Sequence, residues 1–513
     1  MKIELILWYS NENAYHQLAG NYPNQLLKAG QKMQWDLPTG TQPPYQKIIQ
    51  LINTALQAGT LLPGQQLPPE RQLAKQLNVN RSTVQHAFNE LVSRGILERR
   101  VGSGTWVNSG KWGVLSQKVD WQSYLTANRL SDPDNYMVRL RQLDGQPRVI
   151  NLAHSSIGAD LALPVEMTAL SGNQLVAQER HVNISGADEL KEQLIRHLTG
   201  YLAQSVTPDQ LLITSGAQQA FYLIAQGLLQ FGDAIAIEKP SYFYQLSLFQ
   251  AAGIRVLGIP LGTDGSLDLD ELQHLYYRHH LRFLFVNPTG QNPTGQTMPL
   301  KARRALIAKC QELKLPIVED DPLGMNLALT GSSIKTLKSL DPDNVLYIGS
   351  LSSLIGANAR IGWLIAPPQL VDRLANIRQE MESGISIFPQ LVASQFLKAP
   401  NLSHQLEHQN AQLASRFQNL RQALAPFEST GRLTYHRPAN GNNLWVTLLM
   451  PNTLLPSDYT IFLANDLLVR PGFLFGVNQN QLRLSFTNFI DDLVTALTQK
   501  WARVMDQLLT TER

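Results

Sequence analysis

Hydrophobic and polar positions divide the chain into two patterned regions. Over residues 43–108, apolar residues recur at helical spacing, and glycines and prolines separate three such runs. From residue 149 onward, short continuous apolar runs such as 234–237 and 283–286 alternate with longer amphipathic stretches. Strands that are buried on both faces read as continuous apolar runs. We therefore predict a small, mainly α domain followed by a large α/β domain with a mostly parallel sheet.

The same pattern suggests where the parts of the chain begin and end. We expect an N-terminal arm over 1–42, a compact helical unit over 43–110, a polar linker over 111–148 and the α/β domain over 149–513. Met33 is an alternative start, because the recognisable pattern begins just after it. The length of 513 residues fits two to four domains at about 150 residues each.

Composition narrows the class of protein. An apolar share of 43% excludes a disordered chain. The single cysteine, Cys310, cannot form an internal disulfide, so nothing favours secretion. No uncharged apolar run reaches the roughly 18 residues that a membrane helix needs, and the first residues do not form a signal peptide. We expect a soluble cytoplasmic protein without a metal site.

The charge is unevenly distributed. Residues 44–108 carry seven basic and three acidic side chains, more positive charge than the net +3 of the whole chain. A basic module on a nearly neutral body favours nucleic-acid binding by that module. Charge alone leaves a solvated positive face as the alternative.

The basic module has the pattern of a helix-turn-helix followed by a two-stranded wing. One helix opens at 67–71, a turn follows at 78–80, and the next helix starts at Arg81. Its first turns would present to the major groove the polar side chains of Arg81, Ser82, Thr83, Gln85 and His86. Arg71 and the glycine tip at Gly104 would contact the DNA backbone and minor groove. A helical protein-interaction module is the alternative interpretation.

Four motifs in this module resemble the GntR-type winged helix-turn-helix family. They are PG at 63–64, LPPERQLA at 67–74, NRSTV at 80–84 and GSGT at 102–105. The resemblance covers almost the whole stretch from Tyr45 to Val107. It implies that the module binds a double-stranded DNA operator.

Several residues at predicted strand ends of the large domain have both an ordinary and a functional interpretation. The turn at 215–218 could cradle a phosphate with backbone N–H groups or simply join a strand to a helix. Asp320 could face a protonated ring nitrogen or belong to a solvated acidic cap. Arg360 and Arg483 could bind anions or be surface charges, and Tyr242 could be a core aromatic residue.

The order of these residues resembles a fold-type I aminotransferase that binds pyridoxal phosphate, over 149–513. Behind a GntR-type domain, this is the layout of the MocR group of transcriptional regulators. The resemblance implies a phosphate site formed by Gly216, Ala217, Gln218, Ser350 and Arg360. It also implies that Tyr242 stacks on the cofactor ring, that Asn292 binds the phenolic oxygen of the ring and that Asp320 binds the ring nitrogen. Arg483 would bind the carboxylate of an amino acid.

The family's lysine is missing. Enzymes of the family place it in Ser-x-Ser-Lys, seven residues before the phosphate-binding arginine, and Ser353 stands there. The lysine amine forms the imine with the cofactor and moves the substrate proton; a serine hydroxyl does neither well. Leu323 is a second departure, at a position where related enzymes often carry a tyrosine. We expect no useful transamination and non-covalent cofactor binding. Natural loss and deliberate replacement of the lysine both remain open.

Three functions are compatible with these features. The favoured one is a homodimeric transcriptional regulator whose aminotransferase-like domain binds pyridoxal phosphate or a related effector, an amino acid or a B6 vitamer. The alternatives are an aminotransferase tethered to DNA and a DNA-binding repressor whose large domain is an inert dimerisation scaffold. None of the three involves a membrane.

Overall fold

A computed structural model describes residues 35–38, 42–57, 60–61, 64–100, 102–108, 135–165, 171–179, 182–356, 359–382, 384–477 and 480–510. The chain divides into two compact units, 1–128 and 129–513. Most of the predicted arm and residues 111–134 of the predicted linker lie outside the described residues. Among the described helices, none is both long and apolar enough to cross a membrane.

The small unit is three helices and a two-stranded antiparallel wing. Its elements are α1 (Pro44–Gln57), α2 (Glu70–Leu77), α3 (Arg81–Ser93), β1 (Leu97–Arg100) and β2 (Gly104–Val107). The helices bury the apolar positions that recur at helical spacing, among them Ile48, Ile52, Leu73, Val84 and Phe88. Trp35 and Leu37, at the end of the predicted arm, pack against this core.

The large unit combines two main sheets with many helices. Its helices α4 to α18 are Asn135–Leu143, Gly172–Glu179, Asp188–Leu202, Ala217–Leu228, Ser247–Ala251, Leu269–His279, Leu300–Leu313, Gly324–Leu329, Leu337–Leu340, Ser352–Ile355, Pro368–Met381, Ile387–Lys398, Leu402–Ser429, Thr460–Ala464 and Val494–Thr510. Its strands β3 to β15 are Ile150–Asn151, Leu211–Thr214, Ala234–Lys239, Arg255–Pro260, Leu281–Val286, Ile317–Asp321, Val345–Ser350, Gly362–Ile365, Leu433–Tyr435, Asn443–Leu448, Leu467–Leu468, Arg470–Pro471 and Gln481–Ser485.

The predicted mostly parallel sheet is confirmed. Seven strands follow the order β4-β10-β9-β8-β7-β5-β6, and β10 runs antiparallel to both of its neighbours while the other pairs are parallel. A second sheet, β11-β12-β15-β14, is antiparallel. The short strands β3 and β13 pair in parallel.

This topology gathers strand ends at one edge of the large sheet. The parallel strands β4, β8 and β9 end there, at Thr214, Asp321 and Ser350. Because β10 runs the other way, its first residue Gly362 lies opposite both Ser350 and Thr214. Open α/β sheets bind ligands at the carboxyl ends of their strands, so the edge places most of the candidate residues close together.

The region predicted as a linker differs from expectation over its second half. Residues Asn135–Leu143 form helix α4, and its Tyr136 and Leu140 are buried in the core beside β12 and β15. The Tyr136 hydroxyl donates a 3.0 Å hydrogen bond to the Val469 carbonyl. Met137 and Leu143 pack against the same core. The helix is only nine residues long, and the polar residues on either side of it made the whole stretch resemble a linker.

Candidate functional site

Helix α3 of the small unit has one buried and one exposed face. Its buried face packs Val84, Ala87, Phe88 and Leu91 into the core. The polar residues predicted to meet DNA fall largely on the other face: Arg81, Ser82, Gln85 and His86 are exposed, and Thr83 is half-buried. A face of this kind is what a recognition helix offers to a major groove.

Glu70 organises the basic side chains at the start of α3. Its Oε1 accepts a 3.0 Å hydrogen bond from Arg99 Nη2, and its Oε2 lies 3.7 Å from Arg81 Nη2. Both arginines are largely exposed, so these contacts are weak individually and orient the guanidinium groups more than they stabilise the fold. Arg71, in the first turn of α2, is also exposed.

The wing has its turn at residues 102–103, beside Gly104. Gly104 is the first residue of β2, pairs with Arg100 and has a φ of +94°. A Cβ at this position would lie 3.2 Å from the Gln66 Nε2, which donates a hydrogen bond to the Ser103 carbonyl. The Arg100 guanidinium stacks 4.7 Å from the centre of the Trp106 ring, which places a cation on the wing.

In the large unit, the turn at Gly216 opens a helix at the strand edge. Gly216 has a φ of +79° and precedes α7, which begins at Ala217. Gln218 is exposed in the first turn of this helix. Backbone N–H groups in the first turn of a helix have no partner within the helix and attract anions.

Gly362 is a residue of this site that the sequence interpretation missed. A Cβ on Gly362 would lie 2.6 Å from the carbonyl carbon of Gly216 and 2.8 Å from the Ala217 nitrogen. Only glycine lets β10 pass this close to the turn. The signal available in the sequence was a glycine two positions after Arg360.

Ser350, Ser353 and Arg360 follow one another along the next strand and turn. The Ser350 Oγ accepts a 3.0 Å hydrogen bond from the Ser352 N–H. The Ser353 Oγ donates a 2.8 Å hydrogen bond to the Pro322 carbonyl, just beyond β8. Arg360 is exposed, and its φ of +50° puts its backbone in the left-handed region, which is uncommon for a residue other than glycine.

Asp320 is a buried carboxylate, and its strand is not the solvated acidic cap that was considered. All five residues of β8, including Glu319 and Asp321, are buried. The Asp320 Oδ2 accepts a 2.6 Å hydrogen bond from the Tyr242 hydroxyl. Burial raises the pKa of Asp320 to about 7; the Tyr242 bond opposes this shift, and the neighbouring carboxylates add to it.

Asn292 and Arg483 are in direct contact. The Arg483 Nη1 donates a 3.0 Å hydrogen bond to Asn292 Oδ1, and Nη2 donates a 2.6 Å bond to the Ala153 carbonyl. The guanidinium also lies 5.5 Å from the centre of the Phe475 ring. Its buried Nε has no partner in the part of the chain that the structure describes. Burial, together with the charge of Arg470, lowers the pKa of Arg483 to about 9.

A chain of hydrogen bonds links Asn292 to Asp320. The Asn292 N–H donates to Asn287 Oδ1 (2.8 Å), and the Asn287 Nδ2 donates to the Asp320 carbonyl (2.8 Å). Glu238, which the sequence interpretation missed, is fully buried and accepts bonds from the Asn287 N–H and the Gln291 side chain. Glu238 thereby holds the loop that carries Asn292. Its position at the end of the apolar run 234–237 was a usable signal.

Comparisons with known proteins agree with this geometry. The family described as aminotransferase class I and II matches residues 150–499, and the bacterial regulatory proteins of the gntR family match residues 44–107. The uncharacterized HTH-type transcriptional regulator YdfD of Bacillus subtilis (strain 168) is 31% identical over 456 residues, covering 86% of this chain and 92% of the relative. The HTH-type transcriptional regulator NorG of Staphylococcus aureus (strain N315) is 24% identical, covering 82% and 95%.

Solved structures show the same fold for the large unit. The α-aminoadipate aminotransferase LysN of Thermus thermophilus, complexed with N-(5'-phosphopyridoxyl)-L-leucine, superposes with a TM-score of 0.63 at 24% identity, over 77% of this chain and all of that one. The kynurenine aminotransferase of Pyrococcus horikoshii gives a TM-score of 0.65 at 23% identity, over 76% and 99%.

The chain belongs to the aminotransferase class I and II family, and it carries the domain behind a GntR-type region, the pairing predicted from its motifs. It is a DNA-binding transcriptional regulator with an aminotransferase-like domain. The predictions of the fold and of this MocR-type arrangement are confirmed.

Proposed function

We propose that this regulator binds pyridoxal phosphate non-covalently in its large unit and responds to a ligand at that site, an amino acid or a B6 vitamer. One observation carries the proposal: the site keeps a buried cation, Arg483 on β15, and a buried carboxylate, Asp320 on β8, while Ser353 offers a hydroxyl instead of an amine. Buried charges are costly unless they are paired. A site that retains them without a lysine is suited to binding and not to turnover.

The residues at the edge fit the cofactor. Gly216, Ala217 and Gln218 present the start of a 12-residue helix to a phosphate. Ser350 lies at the end of β9, and Arg360 lies just before β10. Gly362 lets β10 pass close to the turn at Gly216. Pyridoxal phosphate, when bound, supplies an aldehyde and a ring that withdraws electrons.

The remaining residues would orient the ring and an attached or neighbouring ligand. Asp320 is buried; in its ionised form it would pair with a protonated ring nitrogen and share its carboxylate with the Tyr242 hydroxyl. Asn292 would bind the phenolic oxygen, and Arg483 would bind a carboxylate through two parallel hydrogen bonds.

Ser353 limits the chemistry. Its hydroxyl is committed as a donor to the Pro322 carbonyl, and an unactivated hydroxyl is a poor proton acceptor near neutral pH. Position 353 thus offers neither a general base nor an amine for a covalent link. We infer that the site senses its ligand without transaminating it.

The response to the ligand requires two arrangements of the protein. A ligand shifts an equilibrium only by its difference in affinity between the two states. We propose a homodimer, in which two small units read two half-sites of an operator through α3 and the wing. Ligand binding would favour one spacing of these units over another.

DNA affinity at fixed salt tests the proposal. An operator is selected from random duplexes with the full-length protein, and its dissociation constant is measured alone, with pyridoxal phosphate, with pyridoxamine phosphate and with single amino acids. We expect at least one of these ligands to change the affinity by about fivefold or more. Affinity that ignores them all would favour an inert dimerisation scaffold, and steady transamination would favour a tethered enzyme.

A further inference from the structure

Arg470 lies beside Arg483 and is not among the residues proposed to bind the cofactor. The two residues are direct partners in the register of the antiparallel strands β14 and β15. Residues that lie opposite each other in an antiparallel pair project their side chains from the same face of the sheet. Two guanidinium groups therefore extend from neighbouring positions of one face.

Within the described residues, the side-chain contacts of Arg470 are with neutral groups. Its Nη1 donates a 2.9 Å hydrogen bond to the neutral Gln245 Oε1 and lies 3.7 Å from the Met137 sulfur. Its buried Nε has no partner within the described ranges. In the same ranges, neither Arg470 nor Arg483 forms an ion pair with a carboxylate, although other arginines of this unit do.

The electrostatic effect of this arrangement falls on both residues. Burial lowers the pKa of Arg470; the neighbouring Tyr136 opposes this shift, and the positive charge of Arg141 on α4 adds to it. Arg483 is 5% exposed, and its pKa is lowered first by burial and then by Arg470. Arg483 is buried and Arg470 is half-buried. Proteins normally pair charges that are withdrawn from water, and within the described residues no carboxylate pairs with either guanidinium.

We propose that Arg470 and Arg483 together bind a ligand with two carboxylates, so that the effector is a dicarboxylic amino acid, free or joined to the cofactor. Arg483 holds the α-carboxylate and Arg470 holds the distal carboxylate. This inference rests on the proposed function, because it names the ligand class of that site. It assigns to Arg470 the selection between acidic and neutral amino acids.

The neutral partner of Arg470 strengthens the assignment. A structural arginine that only joins α4, the 3-10 turn at Tyr242–Gln245 and β14 would be best satisfied by an acidic residue at position 245. Gln245 instead orients the guanidinium by a single hydrogen bond and leaves the charge available. A carboxylate from a ligand would then form charge-assisted bonds, which are stronger than bonds between neutral groups.

Stable adducts test the inference without covalent chemistry by the protein. The probes are N-(5'-phosphopyridoxyl)-L-glutamate against its glutamine counterpart, and the aspartate adduct against the asparagine adduct. Within each pair the size is matched and only the distal charge differs. Dissociation constants are measured by calorimetry on the full-length protein at one ionic strength.

Two variants and a control separate Arg470 from general effects on folding. Arg470→Gln removes the charge, and Gln245→Glu keeps the arginine but supplies an internal carboxylate at the position of its present amide. Arg432→Gln changes an arginine of the same unit whose contact is an ion pair with Asp506. Thermal unfolding of each variant confirms that it is folded.

In the wild type, we expect the acidic adduct of at least one pair to bind about 10- to 100-fold more tightly than its amide. Arg470→Gln and Gln245→Glu should bring this ratio close to one, while Arg432→Gln keeps it. A wild-type ratio near one, or a ratio unchanged in both variants, overturns the inference but not the proposed function. If no adduct binds at all, the proposed ligand site fails as well.

Discussion

The hydroxyl of Tyr242 donates a 2.6 Å hydrogen bond to the carboxylate of Asp320. This relationship joins the residue expected to stack on a cofactor ring to the residue expected to pair with the ring nitrogen. A ring nitrogen bound at Asp320 would therefore share the carboxylate with a phenol. The affinity for the cofactor should therefore depend on whether the Asp320 carboxylate is ionised or protonated.

Cofactor binding should weaken as the pH falls. Burial raises the pKa of Asp320 to about 7, so its ionised form dominates above that pH and is lost below it. A protonated ring nitrogen pairs with the ionised form. We expect the affinity for pyridoxal phosphate, measured by equilibrium dialysis, to drop by roughly tenfold between about pH 8 and about pH 6. An affinity that does not change over this range would contradict the pairing with Asp320.

Tyr242→Phe should raise the pH at which the affinity for pyridoxal phosphate begins to fall. The Tyr242 hydrogen bond lowers the pKa of Asp320 against the effect of burial, and its removal lets the pKa rise further. The same dialysis series measures the midpoint. Tyr435→Phe is the control, because it removes a phenol bonded to Glu428 instead; an equal shift in both variants would exclude a specific role for Tyr242.

Arg81→Ala should weaken operator binding by about 1–3 kcal/mol if its guanidinium contacts a base. The side chain is exposed at the start of α3 and only loosely held by Glu70 at 3.7 Å. Fluorescence anisotropy at fixed salt measures the effect. Arg94→Ala, at the other end of α3 and bonded to Glu90, should have a smaller effect. Unchanged affinity in the Arg81 variant would remove it from the interface.

Gly362→Ala should both destabilise the large unit and reduce cofactor binding. The added methyl would lie 2.6 Å from the backbone of Gly216, and such overpacking costs about 1–3 kcal/mol of unfolding free energy. Gly200→Ala is a matched control in helix α6 with nothing within 4 Å of its added Cβ, and it should stabilise by about 0.5–1 kcal/mol. Urea unfolding distinguishes them; similar stability of both variants would refute the close-approach argument.

Arg360→Ala should lower the affinity for pyridoxal phosphate while leaving the fold intact. Arg360 is exposed beside the Gly216 turn, so little packing is lost with its side chain. Arg304→Ala, another exposed arginine of the large unit, is the control. Equal cofactor occupancy in the two variants would mean that Arg360 does not bind the phosphate.

The residues that lie in recognisable motifs could be predicted from the sequence. The residues whose role depends on which strand pairs with theirs could not. The alternation of apolar runs and amphipathic stretches indicated the parallel sheet, and the apolar run 316–318 placed the acidic residues that follow it, Asp320 among them, at a strand end. Gly362 and Arg470 escaped notice because their meaning depends on which strand lies opposite. Gly362 faces a turn about 150 positions earlier in the chain, and Arg470 faces Arg483 only through the β14–β15 pairing.

Buried polar networks were equally hard to foresee. Glu238, Asn287 and Arg303 are fully or almost fully buried around the loop that carries Asn292. A sequence shows such residues only as charges or amides near apolar runs, and the same pattern is typical of solvated strand ends. Their role becomes visible when their hydrogen bonds are known.

The most direct test of the account is whether pyridoxal phosphate binds to the protein without the lysine. Purified wild type and Ser353→Lys are dialysed against pyridoxal phosphate, and their visible spectra are recorded before and after borohydride treatment. We predict that the wild type binds the cofactor with the spectrum of a free aldehyde and retains none covalently, while Ser353→Lys fixes it to the chain. If the variant binds and the wild type does not, the serine has silenced the site, and the large unit serves only as a scaffold.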